Sequence, residues 1–145
     1  MVGAAIFKTI KKNKLFSVIS CNRKDLDLTN QQLVEKWFKK NKPEIVINAA
    51  GKVGGILDNS TYQSDYLYTN AMIGLNLINT SLKYEVKQFI NLGSACIYPK
   101  NVDQPIKEDS LLSSELEKSN EGYAVAKITS LKYCQYLKEK YNKNY

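Results

Sequence analysis

Tyr123 and Lys127 stand four residues apart, so on a helix both project from one face, one turn from each other. An ammonium beside a phenol favours the phenolate, and such a tyrosine can pass a proton to or from a carbinol oxygen near neutral pH. The spacing alone is weak. With ten tyrosines and twenty lysines in 145 residues, chance supplies such pairs, and Tyr136 with Lys140 is a second one. That second pair lies in a lysine-rich helix end and reads as a solvated face. The first pair has better context. Ser94 follows the apolar run Phe89, Ile90, Leu92, and a hydroxyl at a strand end can bond the same oxygen as Tyr123; read blandly, it is a turn residue. Cys96 is open to two readings, inert packing or a thiolate base facing a ligand. Cys21 and Cys134 have no such context and read as packing. The chain has no histidine, which excludes histidine-built zinc sites and Ser-His-Asp chemistry, and no metal site is expected.

Those residues need elements to hold them. Val2, Ala5, Ile6, Phe7 and Ile10 form the apolar face of a helix over 2–13. Leu15 to Ile19 reads as a short strand. Thr29 with Gln32 has the form of a capping box, so a helix is expected from Asn30 to Asn41, stopped before Pro43. Glu44–Ala50 and Lys87–Leu92 read as buried strands. The glycine-rich stretch 51–55 separates the first of them from a long helix, Tyr62–Tyr84, with Leu67, Ala71, Leu75, Ile78 and Leu82 as its apolar stripe. A polar loop spans 98–109, and a last helix runs over Glu121–Tyr141. This alternation predicts one α/β domain, a parallel sheet with helices on both faces. Such sheets bind ligands at the carboxyl ends of their strands, here the loops 20–23, 49–52 and 93–96. The stretch Asp25-Leu26-Asp27-Leu28 would meet the adenosine end of a dinucleotide. Arg23 could there pair with a ribose 2′-phosphate, favouring NADP over NAD; otherwise this is a solvated loop.

Composition narrows the classes. Apolar residues make up 43% and charged residues 24%, normal for a globular chain. No run approaches the ~20 apolar residues of a membrane-spanning helix. The opening residues carry no basic region before their apolar stretch, and the odd cysteine count has no framework spacing. A reduced, cytoplasmic protein without a secretory signal is therefore expected. The net charge is +7, but one arginine among twenty lysines argues against nucleic-acid reading. A basic surface can still attract a diphosphate nucleotide.

Three blocks carry a resemblance: Gly51-Lys52-Val53-Gly54-Gly55-Ile56, Asn91-Leu92-Gly93-Ser94-Ala95-Cys96-Ile97-Tyr98-Pro99-Lys100, and Ser119-Asn120-Glu121-Gly122-Tyr123-Ala124-Val125-Ala126-Lys127. Together they closely resemble the GDP-L-fucose synthase branch of the extended short-chain dehydrogenase/reductase (NAD-dependent epimerase/dehydratase) family, and the likeness runs through essentially the whole chain. It implies a Rossmann-like fold and NADPH-dependent 3,5-epimerisation and 4-reduction of GDP-4-keto-6-deoxy-D-mannose. It makes Tyr123 the catalytic tyrosine, Lys127 the lysine on the cofactor ribose, Ser94 the hydroxyl on the ketone, and Cys96 the epimerisation base. The cofactor-binding residues it implies are Gly3, Arg23, Asp27, Leu28, Ala49, Ala50, Leu92, Gly93, Ser94, Ala95 and Lys127. It also implies a GDP-sugar substrate, and a homodimer of the full-length form through the two long helices.

The chain departs from that pattern in several places. Gly3 stands where the third glycine of the family's opening turn would be, with no strand before it. The family's general-acid histidine and substrate domain would follow Tyr145. Ala95 and Gly122 replace a common serine and proline. The expectation is a partial NADP-binding domain, 1–145, with open strand edges. On its own it would bind NADP weakly and turn over no sugar nucleotide. Two other readings compete: an epimerase/dehydratase of the same family that retains NAD, and a non-catalytic Rossmann-like module.

Overall fold

The computed structural model describes residues 1–13 and 15–145. Buried β-branched residues and a parallel pairing define its centre. Strand β1 (Ile45–Asn48) lies parallel to β2 (Gln88–Asn91), with Val46 opposite Phe89 and Asn48 opposite Asn91. Parallel neighbours require a crossover, supplied by the short helix α3 (Ile56–Thr61) and the long helix α4 (Gln63–Lys83). After α5 (Glu121–Tyr141) the chain turns through Asn142 in the left-handed conformation. It then runs beside β2, where the Phe89 amide donates to the Asn144 carbonyl at 3.0 Å and Gln88 bridges Asn144 in parallel.

Helix α2 (Gln31–Asn41) is capped by Asn30, whose side chain accepts from the Leu33 amide at 3.2 Å. The expected capping box is corrected by one residue, because the Thr29 hydroxyl and amide both donate to Asp27 instead. Helix α4 closes with a left-handed Glu85, the Val86 amide reaching the Ser81 carbonyl and the Glu85 amide the Leu82 carbonyl. This is a Schellman closure that drops the chain straight into β2.

The core joins α2, α4, α5 and one face of the sheet through Val34, Phe38, Ile73, Leu77, Ile78, Val86, Phe89, Cys134 and Leu137. Each large apolar side chain among them contributes about 1.5–3 kcal/mol of burial. The stripe of α4 that faces this core is shifted from the expected one. Tyr66, Asn70, Ile73, Gly74, Leu77, Ile78 and Ser81 are buried, whereas Leu67 is 38% exposed and Leu75 is half-buried. Small and polar residues take the inner face because α5 lies close against α4; a β-carbon on Gly74 would stand 3.0 Å from the Ser130 β-carbon.

One sequence expectation on the sheet is corrected. Residues 15–19 form no strand, and Leu15 is 83% exposed. A strand needs a ladder partner, and no described strand pairs with that segment. The core packs three helices on one face, while on the other Ile45 and Ile90 stay 42% and 38% exposed. Helix α1 (Val2–Lys11) has no buried residue; Gly3 approaches the Ala49 side chain, at the carboxyl end of β1. Cys21 is exposed, against the expectation of packing, because its segment has nothing to pack on; Cys134 is buried as expected.

Candidate active site

The carboxyl ends of the two strands are tied together before any catalytic group appears. The Asn48 side chain donates to Asn91 at 2.9 Å and accepts from the Ala50 amide at 3.1 Å, while the Leu92 amide donates to the Asn48 carbonyl. This pins the residues after β2. Ser94 then accepts from the Cys96 amide at 3.3 Å, opening the 3₁₀ turn Ala95–Ile97 that sets the sulfur of Cys96 half-buried at the sheet end.

The other half comes from the first turns of α5. Lys127 is only 9% exposed, and its ammonium donates to the Leu92 carbonyl at 2.7 Å while lying 6.0 Å from the centre of the Tyr123 ring. Burial holds this lysine below its usual value. Tyr123 is half-buried, and burial pushes its phenol above the ordinary range; the Ser94 hydroxyl pulls it back, and the neighbouring Cys96 sulfur adds to the rise. The expected lowering of the phenol by Lys127 is therefore corrected. The ammonium is engaged on the Leu92 carbonyl, and burial is the largest influence on the phenol. Tyr136 is 58% exposed, consistent with a solvated helix face for the second tyrosine–lysine pair.

Ser94, Cys96, Tyr123 and Lys127 thus converge from two elements on the carboxyl end of β2. The expected dinucleotide residues fall into two groups. Gly3, Ala49, Ala50, Leu92, Gly93 and Ala95 gather around the strand ends. Ala49, Gly93 and Ala95 are exposed there, and Gly93 has open space where a side chain would be. These small residues leave room for a flat, extended ligand. Arg23, Asp27 and Leu28 lie on the segment before α2. Arg23 is exposed; Asp27 holds Thr29, and those hydrogen bonds set its carboxyl below the usual range. Leu28 packs against the core and its carbonyl accepts from Asn76.

Sequence reasoning missed the residues that position these groups. Gln63, at the start of α4, accepts from the Gly122 amide at 2.9 Å and donates to the Lys118 carbonyl at 2.7 Å, fixing the turn that delivers Tyr123. Asn70 accepts from the Lys52 amide at 2.8 Å and donates to the Lys52 and Tyr66 carbonyls, clamping the glycine-rich loop. Asn120 donates to the Cys96 sulfur at 3.2 Å. The only sequence signal was Asn120 just before a helix, where an ordinary cap is the natural reading.

The family model of the NAD dependent epimerase/dehydratase family matches residues 1–145. The chain belongs to that family. It is 46% identical over 145 residues to a GDP-L-fucose synthase of Sinorhizobium fredii, covering 100% of this chain and 46% of the relative. It is 41% identical over 137 residues to a GDP-L-colitose synthase of Yersinia pseudotuberculosis, covering 94% of this chain and 44% of that protein. Among solved structures, the GDP-mannoheptose C4 reductase of Campylobacter jejuni with NADP bound matches with a TM-score of 0.92 at 33% identity, covering 97% of this chain and 45% of that one. The chain spans about half the length of the relatives it matches.

Proposed function

We propose that this chain carries the NADP-binding and proton-transfer half of a GDP-L-fucose synthase, which epimerises C3 and C5 of GDP-4-keto-6-deoxy-D-mannose and reduces its C4 ketone. The observation that carries the reading is the meeting of Ser94, Cys96, Tyr123 and Lys127 at one strand end, with Tyr123 responding to both Ser94 and Cys96. The names of its relatives support a GDP-linked 4-keto sugar. The exposed small residues at the strand ends fit a dinucleotide. Exposed Arg23 fits a 2′-phosphate, while Asp27 is engaged with Thr29, which supports NADP rather than NAD.

Bound NADPH supplies the hydride to C4. The residues of this chain bind the cofactor, orient the ketone and move protons at it. Lys127, fixed on Leu92, would hold the cofactor ribose through its remaining N–H groups. Ser94 donates to the ketone oxygen, and Tyr123 delivers the proton that turns the alkoxide into the alcohol. The Cys96 thiolate removes the proton from the carbon next to the ketone. The electron pair moves into the enolate, whose oxygen Ser94 and Tyr123 stabilise. Protonation from the opposite face, by the general acid that the family resemblance places beyond residue 145 in the full-length form, inverts the carbon. A second copy of the full-length form is the partner this reading gives the two long helices; an apolar groove along α5, closed by Leu75 of α4 and by Leu112 and Leu116 of the preceding loop, lies on that side.

The test is turnover of the keto sugar with NADPH in deuterated water by the full-length form. Tyr123→Phe and Ser94→Ala should each slow NADPH oxidation by about 10²–10⁴-fold. Cys96→Ala should stop deuterium entering the sugar. Deuterium uptake unchanged by Cys96→Ala would assign the epimerisation to another base and favour a different family activity.

A further inference from the structure

Asn120 occupies the N-cap position of α5, yet its side chain makes no cap hydrogen bond to the helix. An asparagine cap ordinarily contributes about 1 kcal/mol, so a forgone one needs a reason. Here the carboxamide is turned across to the turn after β2. Its Nδ2 donates to the Cys96 sulfur at 3.2 Å, 24 residues away in sequence, and its Oδ1 is buried with no partner. An unsatisfied buried amide oxygen is unfavourable, which makes the orientation harder to read as passive packing. The other groups on the sulfur do not do this work. The Cys96 amide is bonded to Ser94, the Lys127 ammonium is engaged on the Leu92 carbonyl, and Tyr123 is the titratable group that faces the sulfur.

We infer that Asn120 is a positioning residue for the epimerisation half of the reaction, donating its amide N–H to the Cys96 sulfur, a contact stronger with a thiolate than with a thiol. A donor to a charged group favours the charged form, whereas an acceptor or an anion in its place disfavours it. The inference rests on the reading of Cys96 as the base, but its test does not require turnover.

Asn120→Asp is nearly isosteric and caps a helix as well as asparagine does. A purely structural role would therefore survive it, while a donor role would be inverted. The measurement is the rate of iodoacetamide alkylation at Cys96 in the full chain, resolved by peptide mass spectrometry, with exposed Cys21 as internal control. At pH 7 the variant should alkylate Cys96 at least about threefold more slowly than the parent, with the deficit narrowing by pH 9.5 and Cys21 unchanged. Asn120→Ser, whose hydroxyl is too short to reach, should give the same direction if the aspartate variant folds poorly. Equal Cys96 rates in the parent and a folded variant overturn the inference, as does a deficit that stays constant across the pH range. A slowed Cys96 alongside unaltered deuterium uptake in Cys96→Ala would instead sink the base assignment and leave the amide–sulfur coupling standing.

Discussion

At the scale of single residues, side chains that match a chemical template are held by partners that do not. Tyr123 and Lys127 stand together at the strand end because Lys127 is anchored on Leu92 and Tyr123 neighbours Ser94 and Cys96. Tyr66 shows the same dependence away from the reaction. It is 1% exposed, bonded to the Asp58 carboxylate, and carries Lys52 over its ring at 4.8 Å. The bond to Asp58 and burial push its phenol up to about 12. Its folded value lies above the ordinary ~10, so its contribution to stability is complete below that pH and is lost as pH rises towards 12. Alkaline titration followed by absorbance near 295 nm should show one late tyrosine step that Tyr66→Phe removes. The stability gap between the parent and Tyr66→Phe should close over the same interval. Loss of an early step instead would show that the Asp58 bond does not hold in solution.

At the scale of elements, close approach explains why particular segments carry particular residues. A β-carbon on Gly122 would collide with the Gln63 carbonyl oxygen, so the start of α5 is seated directly on the start of α4. Gly122→Ala should therefore cost about 1–3 kcal/mol in urea unfolding and displace Tyr123, lowering activity beyond the loss of stability. A neutral Gly122→Ala would mean that the two helix starts separate easily. Helix boundaries were legible because they rest on local signals: Pro43 after α2, the polar loop after β2, the apolar period of α5. The inner face of α4 was not legible. Asn70, Gly74 and Ser81 are buried by contacts with the glycine-rich loop, α5 and the chain reversal at Glu85, and periodicity of apolar residues has no access to those.

At the scale of the whole molecule, the lysine-rich surface and the net charge of +7 bear on anionic ligands. Raising salt from about 50 to 500 mM should weaken NADPH binding by roughly three- to tenfold, read by fluorescence titration; binding insensitive to salt would confine the electrostatics to the site itself. No described helix is long and apolar enough to cross a membrane. By its residue types and their spacing, the sequence alone determined the α/β class, two of the three strands it suggested and the long helices, and it singled out Ser94, Tyr123 and Lys127 as candidates, with Cys96 joining them by resemblance. These follow from backbone propensity, local period and motif, which neighbouring residues settle among themselves. Tertiary structure alone decided which sheet face is covered, and that residues 15–19 lie unpaired, since a strand exists only with a partner. It also decided that burial raises the Tyr123 phenol while Lys127 is engaged on Leu92, and that Asn120 reaches Cys96 rather than capping its own helix. Desolvation and hydrogen-bond choice depend on what the fold brings alongside, and no local pattern carries that information.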